Sequence, residues 1–216
     1  MFERCSIMVP DQPDLFGLSA PSGLVSAPDF LTAAEESNAI EAIGSSPLQP
    51  FEFQGWTGNR LTVSHGWHYD FANAAMAPAT PLPDWLHPLR ARAEAFAGLP
   101  PGALVQALLL LYPPGAGIGW HRDRPVFEEV VGISLGAAAT LRLRRRTGPR
   151  AFERAALPLA PRSIYLLSGD ARHGWEHSIA PMTEPRWSIT FRAFSQLGLR
   201  QTQNGPGGRS RPGRTG

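Results

Sequence analysis

His121 and Asp123, two apart in the run Trp120-His121-Arg122-Asp123, are residue types that together could hold a metal. Side chains alternate faces along an extended segment, so this spacing points an imidazole and a carboxylate to the same side. One more histidine would complete a two-histidine, one-carboxylate facial triad, the donor set that binds Fe(II) and leaves coordination positions open. His173 and His177, in the segment Ser168 to Ile179, are both candidates. They lie four apart, so on a strand both share a face and alternation alone does not choose between them. Further on, Arg186, Ser188, Thr190 and Arg192 share one face of an extended run while Trp187, Ile189 and Phe191 share the other. A row with two arginines beside a metal site is costly without anions. A dicarboxylate such as 2-oxoglutarate would supply them through bidentate guanidinium pairing.

The elements that must position these residues read as short strands with a few helices. Leu104 to Tyr112 is nearly all apolar, as in a buried strand, and the turn residues Pro113, Pro114, Gly115 and Gly117 deliver the chain to Trp120. Val130 to Leu135, Ala139 to Arg145, Ala151 to Leu157 and Ser163 to Ser168 follow as strands with turns at Gly136, Gly148 and Pro161, which predicts an antiparallel sandwich or barrel. Before them, Phe30 to Ile43 is predicted as a helix, with Thr32 and Glu35 as a capping box and Gly44 as its stop. Pro81 to Leu99 is predicted as a second helix starting at Pro83 or Asp84 and closed by Gly98. Phe51 to Phe71 is a set of extended pieces rich in aromatic residues. Alternation there sends Trp67, Tyr69 and Phe71 to one face and His68 and Asp70 to the other. In LRLRRR, Leu141 and Leu143 alternate with Arg142 and Arg144, as in a half-buried strand with a basic solvent face. A phosphate-contacting surface is the weaker reading, because no aromatic residue is expected to be interleaved on that face.

Composition sets the outer bounds. A chain of 216 residues with 43% hydrophobic and 18% charged residues suits one globular domain, and no apolar run reaches membrane-spanning length. The N-terminus has no signal-peptide pattern, so a cytoplasmic protein without a membrane is expected. Cys5 is the only cysteine, which excludes an internal disulfide and a cysteine-based zinc site. The net charge is +2 and every basic residue is arginine, a usage that looks like codon bias. Arg200, Arg209, Arg211 and Arg214 sit near the C-terminus, and without them 16 basic residues face 18 acidic ones. The pI of about 9.2 is therefore not an argument for nucleic-acid binding. The expected organisation is a loosely ordered arm at 1–22, one domain at 23–197 and a disordered basic tail at 198–216.

Four motifs in order, Y-x-P-G-x-x-I-x-x-H-x-D at Tyr112 to Asp123, VGISLG at Val131 to Gly136, A-R-x-x-W-x-H-x-I at Ala171 to Ile179 and R-x-S-x-T-F-R at Arg186 to Arg192, resemble those of the AlkB-type Fe(II)/2-oxoglutarate dioxygenases. The resemblance runs from about Phe53 to Phe194 and implies a mainly β (α+β) fold, a double-stranded β-helix or jelly-roll buttressed by N-terminal helices. It implies that His121, Asp123 and His177 are the iron ligands, with His173 at a variable position. Arg186 and Tyr112 would bind the distal carboxylate of 2-oxoglutarate, Arg192 would sit near its chelating end, Ser188 stands where some members have Asn, and Arg172 lies close to the iron. The alternative for Arg172 is an ion pair with Asp170 or Glu176. The implied cofactors are Fe(II), 2-oxoglutarate and dioxygen as co-substrate.

The implied activity is oxidative demethylation of N-alkylated bases in nucleic acid, by a monomer. The segment from Trp56 to Phe71, with Trp67, His68 and Tyr69 as substrate contacts, would form the nucleotide-recognition lid. Members acting on DNA tend to carry an acidic residue just after the triad aspartate, where this chain has Arg124 and Pro125. Two other expectations stand beside this one: the same fold oxidising a protein side chain or a small molecule, and a non-catalytic jelly-roll binding module.

Overall fold

The computed structural model describes residues 20–53, 56–70 and 75–203; the side chains of 52–57 and 71–75 and nearly all of the expected N-terminal arm lie outside the description. So do Cys5, Phe71 and most of the expected basic tail.

The chain opens with β1 (Leu24–Ala27) and α1 (Ala33–Gly44). Thr32 caps α1 as expected: its hydroxyl accepts from the Glu35 backbone N–H at 3.2 Å while the Glu35 carboxylate accepts from the Thr32 N–H at 2.8 Å. β2 (Gln49–Phe53), β3 (Trp56–His65), β4 (Trp67–Asp70) and β5 (Ala75–Pro78) lead to α2 (Leu86–Ala97). α2 starts after Trp85, later than the predicted Pro83 or Asp84, because those two residues form a turn whose carbonyls accept from Leu86 and His87. It ends at Gly98, whose φ of 67° is the left-handed conformation that glycine adopts without a Cβ clash.

The remaining strands are β6 (Leu104–Tyr112), β7 (Ile118–His121), β8 (Phe127–Gly136), β9 (Ala139–Arg146), β10 (Phe152–Leu159), β11 (Ile164–Leu167), β12 (Glu176–Ile179) and β13 (Arg186–Phe194). Two short helices, α3 (Gly169–His173) and α4 (Gln196–Gln203), flank the last of them. α4 carries the chain past the expected domain end at 197.

Pairing assembles a seven-stranded sheet in the order β1-β11-β8-β13-β6-β3-β2, a four-stranded sheet β10-β9-β12-β7, and a β4-β5 hairpin, all antiparallel. This is the antiparallel sandwich that the strand pattern predicts, in the jelly-roll class that the resemblance implies. β6 is covered on both faces, by the helices on one side and the small sheet on the other, which explains its nearly unbroken apolar run. Leu109, Ile133, Ile189 and Phe191, all fully buried, face outward against Ile43, Leu86, Leu89 and Ala93 of α1 and α2. Each such side chain contributes about 1.5–3 kcal/mol of burial free energy. The opposite face meets the small sheet through Leu110, Tyr112, Leu141, Leu143 and Trp175. Glu36 of α1 accepts from the Gly136 N–H at 2.9 Å and pairs with Arg162 at 3.1 Å, and Glu94 of α2 accepts from the Leu104 N–H at 3.0 Å. The helices are therefore locked to the sheet by charge-assisted bonds as well as by packing.

Gly132, in the middle of the large sheet, stands where no side chain fits. Gly132 of β8 lies directly opposite Tyr165 of β11, and a Cβ there would stand 2.2 Å from the phenol ring. Gly132→Ala is expected to lower stability by about 1–3 kcal/mol, measured as the denaturant midpoint, with the loss recovered in a Gly132→Ala, Tyr165→Leu double variant.

Candidate active site

A cavity of about 750 Å³ opens between the two sheets, and His121, Asp123 and His177 line it. His121 ends β7 and lies directly opposite His177 of β12, so cross-strand register brings the two rings to 4.3 Å between centroids. Asp123 lies just beyond the end of β7, yet reaches the same wall. Its Oδ2 faces His177 Nε2 at 3.6 Å, beyond hydrogen-bond distance. Its Oδ1 is held by Arg192, whose Nε donates at 2.9 Å and whose Nη2 lies at 2.7 Å.

Electrostatics prepares these groups to ligate. His121 Nδ1 lies 2.8 Å from the Gly119 carbonyl, so that nitrogen carries the proton and Nε2 is left as the donor atom. Burial lowers the His121 pKa and brings that of His177 down to about 4, so both imidazoles are neutral near neutral pH. Burial opposes the charge of Asp123, but the Arg192 guanidinium, with the two histidines and Arg172, outweighs it and holds the carboxyl well below the usual range. Among the described residues no three His, Cys, Asp or Glu side chains form a ready-made metal cluster. The three nevertheless fit a cation: two neutral imidazoles and one carboxylate already oriented by Arg192, with Oδ2 and Nε2 facing each other and sharing no proton.

The arginines divide the rest of the site. Arg192 commits its third donor, Nη1, to Gln106 Oε1 at 2.9 Å, so its guanidinium clamps Asp123 onto the large sheet. Arg186, 1% exposed, sits against the Tyr112 ring at 5.3 Å and gives Nη2 to Ser134 at 3.2 Å, while its Nε and Nη1 have no partner among the described residues. A buried cation with two orphaned donors beside a tyrosine is what a carboxylate would satisfy. Ser188 is buried on the same face without lining the cavity.

Arg172 makes neither of the ion pairs considered for it. Asp170 is taken by Arg145 at 2.9 Å and Glu176 by Arg144 at 2.7 Å, because α3 turns Arg172 inward, away from both. Its Nη2 donates to the carbonyls of Arg124 and Phe127, at 2.6 and 2.8 Å. It thereby ties down the turn that follows Asp123.

The choice between the two histidines is decided by α3, where a strand was considered. His173 closes that helix, is exposed, and meets Glu128 at 2.7 Å. Although it touches the rim of the cavity, it does not join His121 and Asp123. His173→Ala is expected to change iron content and succinate release by less than about twofold, since exposed pairs contribute little.

Of the predicted substrate residues, His68 and Tyr69 line the cavity and Arg124 lies over the Tyr69 ring at 4.9 Å. Trp67 instead packs edge-on against Phe194 at 5.4 Å, in a small cluster with Met76, Val126 and Phe127. The expected lid residues Trp56 and Phe71 have side chains outside the described set.

Sequence reasoning did not single out Arg60, Gln106 and Tyr165, which also line the cavity. Arg60 is buried with its guanidinium 4.0 Å over Phe51. Burial lowers its pKa, partly offset by the Tyr112 hydroxyl beside it. Burial likewise raises the Tyr165 hydroxyl to about 12, keeping it neutral. Alternation through Gly58, Arg60, Thr62 and Ser64 marks a polar face on β3, but only pairing with β6 makes it the inner one.

A family model described as the 2OG-Fe(II) oxygenase superfamily matches residues 23–192. An Arabidopsis thaliana protein named alkylated DNA repair protein ALKBH8 homolog is 28% identical over 182 residues, 73% of this chain and 50% of that protein. A Xenopus tropicalis protein named tRNA (carboxymethyluridine(34)-5-O)-methyltransferase alkbh8 is 26% identical over 178 residues, 76% of this chain and 26% of that one. This chain thus spans half of the first relative and about a quarter of the second. The solved structure of OsALKBH1 shares the fold, with a TM-score of 0.63 at 15% identity over 82% of this chain and 98% of that one. The matched span takes in both sheets, the facing histidines and the inward arginine row: the chain belongs to the 2OG-Fe(II) oxygenase superfamily, on its AlkB-like side, a group of oxidoreductases that use iron, 2-oxoglutarate and dioxygen.

Proposed function

We propose that this protein oxidatively removes alkyl groups from the nitrogen atoms of bases in nucleic acid. The observation that carries the reading is the meeting of His121, Asp123 and His177 in one cavity wall, with Arg192 fixing the carboxylate. His121 Nε2, an Asp123 oxygen and His177 would hold Fe(II). Arg186, helped by Tyr112 and Ser188, would hold the distal carboxylate of 2-oxoglutarate, whose chelating end would lie toward Arg192. Bound together and supplied with dioxygen, the two would provide oxidative decarboxylation of 2-oxoglutarate to succinate and carbon dioxide coupled to hydroxylation of a C–H bond, and an N-methyl carbon so hydroxylated would leave as formaldehyde.

The chain's own residues then bind and orient. Arg192 keeps Asp123 ionised and aimed, and Arg172 holds the following turn in place. Tyr69 and His68 offer a ring and a polar edge at the wall, as a flipped-out base requires. The names of the Arabidopsis and Xenopus relatives, an alkylated DNA repair protein and a tRNA methyltransferase, support nucleic acid as the substrate class. No helix among the described residues is long and apolar enough to cross a membrane.

The test is an anaerobic preparation with Fe(II) and 2-oxoglutarate, then exposed to oxygen with methylated DNA, methylated RNA and methylated peptides in parallel. Formaldehyde should appear with a methylated nucleic acid in step with succinate. Formaldehyde from the peptide alone, or succinate indifferent to every methylated nucleic acid, would overturn the substrate.

A further inference from the structure

The outer face of the four-stranded sheet, turned away from the cavity, carries a network of guanidinium groups and aromatic rings. Arg142, Arg144 and Arg146 point outward from β9, and register sets Arg154 of β10 opposite Arg144 and Phe152 opposite Arg146. Trp120 enters from β7, with the Arg142 and Arg144 guanidinium carbons 5.3 and 4.4 Å from its ring centre. Phe152 gathers Arg144, Arg146 and Arg154 at 4.8, 4.8 and 5.7 Å. The aromatic residues missing from the LRLRRR run itself are thus provided by its neighbours, and the case against a phosphate-contacting surface falls.

The charges on this face are poorly balanced for stability. Arg144 is paired with Glu176, but Arg142 bonds only the Ser178 hydroxyl and Arg146 only the Pro149 carbonyl. Arg142, Arg146 and Arg154 have no carboxylate partner among the described residues. Arg154 lies directly opposite Arg144, and the one carboxylate beside them among the described residues, Glu176, is already paired with Arg144. Alternate residues of β9 repeat at about 6.6 Å, a spacing suited to successive phosphodiesters of an extended strand. Rings between the guanidinium groups offer stacking to unpaired bases. The face is also continuous with the active site: Trp120 and Arg122 line the cavity, and His121 and His177 lie on the inner side of the same two strands.

The geometry points to this outer face as a second docking surface for a polynucleotide, which grips the backbone of an extended single strand as it leaves the cavity past Trp120. The inference rests on the nucleic-acid reading above. It adds a place where affinity and strand length are sensed apart from the chemistry.

The experiment compares wild-type protein with an Arg142→Ala, Arg146→Ala, Arg154→Ala triple variant, using fluorescein-labelled 15-nucleotide oligo-U and oligo-dT in anisotropy titrations over a salt series. Wild type should bind single strands with a steep salt dependence. The triple variant should bind at least tenfold more weakly at low salt, with the slope of log K against log salt reduced by about two, since each phosphate contact on a single strand contributes about 0.7. Arg→Lys at the same positions should restore most of the slope. Substrate-independent succinate release should not change, and the melting temperature should not fall.

Equal affinity and slope in the triple variant would overturn the inference, as would polyglutamate competing as well as the strands. A wild type that demethylates a methylated trinucleotide while the triple variant binds 15-mers normally would reject the docking face and leave the activity standing. Strand binding that depends on the arginines, without turnover of any methylated nucleic acid, would do the reverse. The oligo-U and oligo-dT arms separate RNA from DNA.

Discussion

Asp123→Ala and His177→Ala proteins are each expected to lose iron-dependent succinate release entirely, and to lose iron affinity by at least about a hundredfold. Removing even an outer-shell partner of a metal ligand costs about 10–100-fold, and these two, on the cavity wall itself, would supply donor atoms directly. The two variants should differ in stability. Asp123 is the carboxylate partner of Arg192, which is mostly buried, and removing one member of a buried pair costs about 3–5 kcal/mol. His177→Ala leaves that pair intact and should melt close to wild type. Asp123→Asn separates the effects, because it keeps the volume and one hydrogen-bond acceptor for Arg192 but removes the charge that holds a metal. The readouts are metal content after dialysis against Fe(II) or Mn(II) and the denaturant midpoint. A His177→Ala protein that keeps full metal content would remove His177 from the ligand set.

The second large effect is expected at Arg186, with a sign that differs between the empty and the loaded protein. Arg186 is 1% exposed, and its Nε and Nη1 have no partner among the described residues. Without a carboxylate it is a buried cation with unmet donors, which costs free energy. Arg186→Met, of similar length and apolar, should therefore leave the empty protein as stable as wild type or more so. With 2-oxoglutarate the order reverses. Loss of a hydrogen-bonded charged contact of about 1.5–3 kcal/mol corresponds to a rise of about 10–150-fold in the 2-oxoglutarate concentration for half-maximal succinate release. The thermal shift that saturating 2-oxoglutarate gives wild type should shrink by the equivalent of the same about 1.5–3 kcal/mol, since only ligand bound to the folded state raises the melting temperature. An unaltered 2-oxoglutarate requirement would move the carboxylate site away from Arg186, which is buried behind the cavity lining, to a guanidinium on the wall such as Arg60.

Much of the architecture was legible locally. The Thr32 and Glu35 capping box set the start of α1, the apolar run Leu104 to Tyr112 became β6 at those limits, and the alternation of Arg186 to Arg192 separated the inward polar row from the residues that pack under the helices. These signals survive folding because they depend on backbone periodicity and on hydrogen bonds a few residues apart. The start of α2 was misplaced because Pro83 and Asp84 suit a turn as well as a first helical residue. Trp67 is a substrate contact by resemblance to the family's lid, and alternation names its face without saying what covers it; in the structure, Phe194 does.

The sequence by itself determined which residues could ligate, which could hold carboxylates, and that short antiparallel strands would carry them. Only the tertiary structure decided between His173 and His177, by turning residues 169–173 into a helix and setting His177 opposite His121 across β7 and β12. It also brought Arg60 and Tyr165 to the cavity, detached Arg172 from Asp170 and Glu176, and laid Trp120 and Phe152 among the arginines of β9. The placing of His177, Arg60, Tyr165 and Trp120 depends on register between strands far apart in the chain. That register is fixed by which faces can be buried together, a property of the packed sheets that no local stretch of sequence contains.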